Sequence, residues 1–313
     1  MSAPSDVVAW LLEGDVAVAH LTTRALLHHE DPGLRSRIAS EGVGGALLAA
    51  RGQDGHWGRG FYQPKWTSTH YTLLELRNLG LPADQSAAVA SVALVLAHER
   101  GPDGGLDPSH RAAFSDACIN GMGLNYASWF GAREDDLAGL VDVLLARRVS
   151  DGGFNCRHRP PAEPVSHSSL HTTISVVEGF TSYLAAGHGH RPRDVEAAVS
   201  SAVEFVLRHE LFRSERTGEV IREEFLVPHH PPRWHFDILR GLECLADAGT
   251  PSDPRMDAAL EALLARRRPD GRWTARTWPG QTHVPPEPRG PSRWATLRTL
   301  RVLEHYAPGW MSF

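Results

Sequence analysis

The stretch Gln53-Asp54-Gly55-His56-Trp57-Gly58 decides how the rest of the chain is read. Asp-Gly is a tight-turn dipeptide, because glycine takes a positive φ without steric cost. One such turn carries little information, but here it recurs. Asp103-Gly104-Gly105-Leu106, Asp151-Gly152-Gly153-Phe154 and Asp270-Gly271-Arg272-Trp273 repeat it, each with a bulky apolar residue after the glycine. The first two steps are 49 and 48 residues, and the third is 119. The long step fits two longer repeats, with Thr217-Gly218-Glu219-Val220 as the weak copy between them. A fixed period of this length is the signature of a repeat architecture.

Between the turns, apolar residues recur at three- and four-residue spacing over 66–79, 82–99, 115–130, 134–148, 168–187, 194–211, 233–248, 254–268 and 292–306, which predicts helices. Residues 32–51 read as a further helix, with Pro32 near its start, and 1–31 as a helical N-terminal segment broken at Gly14. No segment alternates like a strand. The expectation is an all-α chain, one domain over 1–313, built as five to six helix pairs closed into a double ring. Helices 32–51, 82–99, 134–148, 194–211 and 254–268 would be outer. Helices 66–79, 115–130, 168–187, 233–248 and 292–306 would be inner, lining a central cavity with Trp66, Trp129, Trp234 and Trp294 among its walls.

The formal net charge of −5 argues against a nucleic-acid binder. No apolar run is long enough for a membrane span, and residues 1–6 do not read as a secretory signal. Three cysteines make no disulfide framework, so a cytoplasmic location is expected.

The predicted inner-helix starts carry the chemistry. Asp116 and Cys118 stand two residues apart at one start, and His171 lies at the next, 53 residues after Cys118. Carboxylate, thiolate and imidazole are a sensible zinc set with a fourth position open. His167 (four before His171), Cys156 and His158 are competing donors. His229-His230-Pro231-Pro232 reads as a solvent-facing loop, and the Pro-rich Thr282–Pro288 as either a cover for the cavity mouth or a stiff surface connection.

Gln-Asp-Gly-His-Trp-Gly followed by an inner helix, then Asp-Gly-Gly-Phe, resembles the repeat of the squalene and oxidosqualene cyclases and of the protein prenyltransferase β subunits. The resemblance spans about residues 32–306 and implies an α–α toroid. The cyclases' Asp-x-Asp-Asp acid has no counterpart, since Glu134-Asp135-Asp136 is the acidic first turn of an outer helix. The order Asp116-Ala117-Cys118, Gly152-Gly153-Phe154, His171-Thr172 looks like the zinc site of the prenyltransferase β subunits. It implies Zn2+ on Asp116, Cys118 and His171, activating a thiol or a water.

The family's diphosphate site is matched in part. His70 and Tyr71 fall near its histidine segment and Arg111 near its arginine, but its lysine falls on Ala113 and its tyrosine on Ile119. Trp66, Trp234, His235 and Asp237 complete the expected substrate contacts. The resemblance implies an enzyme acting on a small apolar, isoprenoid-like substrate. A zinc-free cyclase-like enzyme and a non-catalytic scaffold for a ligand or protein partner are the alternatives. Prenylation itself would need a partner subunit.

Overall fold

The computed structural model describes residues 4–156 and 165–308. His158, named above as a competing metal donor, lies outside them. Among the described residues the regular structure is helical, and the β content is limited to isolated bridges, three of which close Asp-Gly or related turns.

In chain order the helices are α1 (Pro4–Leu12), α2 (Val16–Leu26), α3 (Pro32–Arg37), α4 (Gly42–Ala49), α5 (Thr69–Asn78), α6 (Ser86–His98), α7 (Ala117–Trp129), α8 (Glu134–Ala146), α9 (Leu170–Ala185), α10 (Pro192–Arg208), α11 (Ile238–Asp247), α12 (Asp257–Leu264) and α13 (Arg293–Tyr306). The inner helices α5, α7, α9, α11 and α13 pack in that order, and α13 then packs on α2. Leu21 and His20 of α2 reach Gly80 at the end of α5, which closes the ring. The N-terminal segment thus supplies a sixth pair, α1 with α2.

The turn repeats in atomic detail. Gly55, Gly104, Gly152, Gly218 and Gly271 all have φ between 71° and 102°. The amide four residues before each of His56, Gly105, Gly153 and Arg272 donates to that residue's carbonyl at 2.7–2.9 Å. The apolar residue that follows is fully buried: Trp57, Leu106, Phe154 and Trp273 are each 0% exposed. Its backbone N–H donates to a side chain of the next inner helix: Trp57 to Thr69, Leu106 to Asn120, Phe154 to Thr173 and Trp273 to Thr296, at 2.7–3.0 Å. The indoles of Trp57 and Trp273 donate to Leu47 and Leu263, each ten residues upstream on the outer helix. One turn therefore stitches an outer helix to an inner one through a buried side chain and a satisfied amide.

Two helices differ most from the sequence expectation. The single helix over 32–51 is two, α3 and α4, because Asp15 caps α2 with one carboxylate oxygen and accepts from Val43 N–H with the other at 2.8 Å. The helix expected from 233 begins at Ile238, where Asp237 accepts from Arg240 N–H. Its predicted first turn is a lead-in carrying Trp234 and His235. His167 lies outside α9, so His167 and His171 do not form a helical turn.

Between α7 and α9 the packing is closest. A Cβ on Gly121 would lie 2.4 Å from Ser175 O, and one on Gly179 would lie 2.3 Å from Gly121 O. Backbone meets backbone there, which only glycine permits.

Candidate functional site

The N-terminal ends of the inner helices hold most of the residues singled out in the sequence. The structure engages them with one another. His171 Nδ1 accepts from Phe236 N–H at 2.7 Å, and its ring sits against Phe225 and Trp234. Burial and the positive field of Arg240 lower its pKa to about 4. His235 is sandwiched between Trp234 (4.0 Å) and Trp278 (3.6 Å), and His229 continues the stack on Trp278 at 4.0 Å. Burial, with His171 adding to it, takes the pKa of His235 down to about 3, so it is a neutral ring. Asp237, 1% exposed, accepts from Arg240 and His229 N–H groups and holds the start of α11. His70 is fully buried against Phe61, Tyr62 and Tyr126, and burial lowers its pKa to about 3. The Tyr71 hydroxyl lies 3.2 Å from that of Tyr62. Arg111 is exposed, on a loop whose amides converge on Asp107. The expected diphosphate contacts are therefore not gathered into one anion cradle.

Nor do the expected zinc ligands come together. Among the described residues, no group of three or more His, Cys, Asp or Glu side chains stands close enough to hold a metal ion. Cys118 instead meets Cys156. Cys156 Sγ accepts from Cys118 N–H at 3.2 Å and from the Thr172 hydroxyl at 3.4 Å. The closeness of the two thiols lowers the pKa of Cys156 and raises that of Cys118, where burial adds to the rise. Asp116 is exposed beside them, and Lys65 sits over the rings of Tyr62, Trp66 and Trp234. As placed, these residues do not fit a zinc ion.

The central cavity, about 490 Å³, lies at the other end, lined by the C-terminal halves of α2, α5, α7 and α9 and by α11 and α13. Trp129 and Trp294 are in its wall, whereas Trp66 and Trp234 are not. It is not the apolar chamber expected from the resemblance. Five arginines (Arg24, Arg77, Arg240, Arg298, Arg301) face four carboxylates (Glu75, Glu178, Glu243, Asp247) beside Leu21, Leu79 and Leu297.

The pairing of these charges is uneven. Arg240 binds Glu178 through two hydrogen bonds of 2.7–2.8 Å. Arg298 donates to Glu243 at 2.7 Å and Arg301 to Asp247 at 3.0 Å. Arg24 and Arg77 have no ion-pair partner among the described residues. Arg77 donates to Asn78 and Ser182, at 3.3 Å each, and its guanidinium lies 5.5 Å from the Trp129 ring, while its Nε is buried without an acceptor. The buried hydroxyls of Ser128 and Thr181, on the same wall, also lack partners. Burial lowers the pKa of both arginines. Around Arg24, Glu30 offsets part of this and Arg301 and Arg35 add to it.

Glu75 is the remaining carboxylate. It has no hydrogen bond or ion pair among the described residues, and burial lifts its pKa to about 7 against the pull of Arg233. It also lines a second cavity of about 270 Å³, roofed by Thr282–Pro288. That strap thus covers a cavity, pinned by His283, which lies 3.2 Å from the Thr72 hydroxyl and 3.0 Å from Thr67 O. His230 and Pro231 stand between the two cavities, with His230 stacked on Trp294. The loop read as solvent-facing is therefore interior: His229 is 3% exposed. Helical spacing shows Arg24, Glu75 and Arg77 only as polar interruptions, and no local sequence signal brings them together.

No protein-family model and no curated protein matches the sequence. Solved structures similar to this chain include the type II terpene cyclase MstE from Scytonema without ligand, at 14% identity and a TM-score of 0.35, covering 84% of this chain and 96% of that one. A variant of the same cyclase in complex with its product, merosterolic acid A, matches at 14% identity and 0.32, covering 74% and 79%. Another variant, in complex with the substrate geranylgeranyl dihydroxybenzoate, matches at 14% and 0.31, covering 84% and 95%. Among the described residues no helix is long and apolar enough to cross a membrane.

Proposed function

We propose that the ring is an enzyme-like toroid whose central cavity binds a small anion with an apolar body, and that Glu75 exchanges a proton with it. The observation that carries this reading is the unpaired set Arg24, Arg77 and Glu75 in one cavity. Buried ionic groups without partners are costly, and a ligand that supplies the missing acceptors offsets that cost. The buried hydroxyls of Ser128 and Thr181 offer two further donors. Leu21, Leu79, Leu297, Trp129 and Trp294 supply surface for the apolar part. An isoprenoid acid or phosphate has this chemistry.

The raised pKa of Glu75 bears on the reaction class. A carboxyl that titrates near neutral pH suits general acid–base transfer at oxygen or nitrogen. It is a weak acid for protonating an alkene. The reading is therefore proton transfer at a heteroatom, and it routes no step through zinc.

Isothermal titration with inorganic diphosphate, farnesyl diphosphate and farnesoic acid tests it. The prenyl anions should bind more tightly than diphosphate, and Arg77→Ala or Arg24→Ala should weaken binding roughly 10-fold or more. Titration in buffers of different ionisation enthalpy should show proton uptake or release that disappears in Glu75→Gln. Binding unaffected by either arginine variant, or no binding of any of the three, overturns it.

A further inference from the structure

The contact between Cys118 and Cys156 is not used by the function proposed above, and it lies at the opposite end of the ring. Cys118 stands in the first turn of α7, and Cys156 ends the described stretch that follows the Asp151 turn. Two donors from separate inner helices converge on Cys156 Sγ: Cys118 N–H of α7 at 3.2 Å and the Thr172 hydroxyl of α9 at 3.4 Å. Cys156 Sγ thus lies against the backbone of Cys118 itself. Both residues are partly exposed. Cys244, the third cysteine, is 2% exposed on α11, and its thiol donates to the Ile174 carbonyl at 3.9 Å.

We infer that Cys118 and Cys156 are a redox-modifiable pair that closes reversibly to a disulfide linking the start of α7 to the segment leading into α9. With Cys156 Sγ 3.2 Å from the Cys118 amide nitrogen, the two side chains are close enough for a side-chain rotation, without movement of either helix, to bring the sulfurs to bonding distance. The first-turn N–H groups of α7 favour negative charge on the Cys156 sulfur, which makes it the attacking atom. With a peroxide as oxidant, Cys156 sulfur attacks one peroxide oxygen, the O–O bond breaks and a sulfenic acid forms with release of water. Cys118 sulfur then attacks the sulfenic sulfur, the S–O bond breaks and a second water leaves. Two thiols lose two electrons and two protons, and one hydrogen peroxide becomes two waters. A small dithiol reverses the step by exchange.

The test is thiol counting and peptide mapping on the full chain. Untreated protein, denatured, should titrate three thiols per chain, as the sequence requires. After stoichiometric hydrogen peroxide it should titrate one. The intact mass should fall by two hydrogens, with the Cys118 and Cys156 peptides joined and Cys244 free. Dithiothreitol should restore all three. Cys118→Ser should stop at the sulfenic acid, trapped as a dimedone adduct on Cys156, and Cys156→Ser should form no internal crosslink. The oxidised wild type should unfold several degrees higher than the reduced protein, because the crosslink restricts the unfolded chain. Three thiols remaining after peroxide, or a crosslink that maps to Cys244 or between chains, overturns the inference. The wild-type measurement is decisive even if a variant fails to fold.

Discussion

The two ends of the inner ring differ in what surrounds their charged side chains: aromatic rings and turn amides at one end, an open cavity at the other. At the N-terminal ends, the Asp-Gly turns, the caps and the ring stack engage nearly every residue that looked functional. Asp103 and Asp151 each accept from their own turn and from the amide of Ser115 or Ser168. His235 is held between two indoles. At the C-terminal ends, Arg24, Arg77 and Glu75 stay in the cavity without partners of opposite charge. Arg24 and Arg77 lie in the last turns of α2 and α5, where the helix ends carry partial negative charge. That field helps keep a guanidinium charged, but it is weaker than a carboxylate and leaves donors free for a ligand. Polar residues at a helix start are more often architecture, whereas unpartnered charges inside a cavity are the better pointer to a ligand.

The largest expected effect tests the architectural half of this contrast. Trp57→Ala and Trp273→Ala should each destabilise the chain by roughly 3–5 kcal/mol in urea unfolding, since each empties a fully buried site and leaves Leu47 or Leu263 without its indole donor. Unequal losses would mean that the two copies of the turn are not equivalent.

Glu75→Gln tests the other half. A carboxyl whose folded pKa is raised to about 7 contributes stability that is fully present below its unfolded pKa of 4.5, and that is lost as pH rises through 7. Relative to wild type, the glutamine variant should therefore gain roughly 1–3 kcal/mol between pH 5 and pH 8. A pH-independent difference would show that Glu75 already has a partner. Thr173→Val should cost about 1–2 kcal/mol, because the buried Phe154 N–H loses its acceptor. The smallest effect belongs to His235→Phe. The ring is neutral and serves as a stacking surface, so stability should change by less than about 1 kcal/mol, with anion affinity unchanged. A large loss of anion affinity would move the binding site to the N-terminal end.

The helix pairs were legible because the turn signal is local. Asp supplies the side-chain acceptor, Gly the positive φ and the following aromatic or leucine the buried plug, and all three lie within four residues. The closing sixth pair was only partly legible, since its contact with α13 joins the two ends of the chain. The split at 38–41 and the late start of α11 were missed because Asp15 and Asp237 act across space, on Val43 and His229. Proximity in sequence also misled: Asp116 and Cys118 are two residues apart, yet the partner of Cys118 is Cys156.

The sequence by itself therefore determined the helices, their pairing and the repeat, because propensity, period and turn chemistry act over a few residues. Only the tertiary structure decided which polar groups were left over. Whether Cys156, Arg77 or Glu75 has a partner depends on neighbours far away in the chain, Thr172, Ser182 and Arg233 at 16, 105 and 158 residues, and on the low-dielectric interior that makes a missing partner matter.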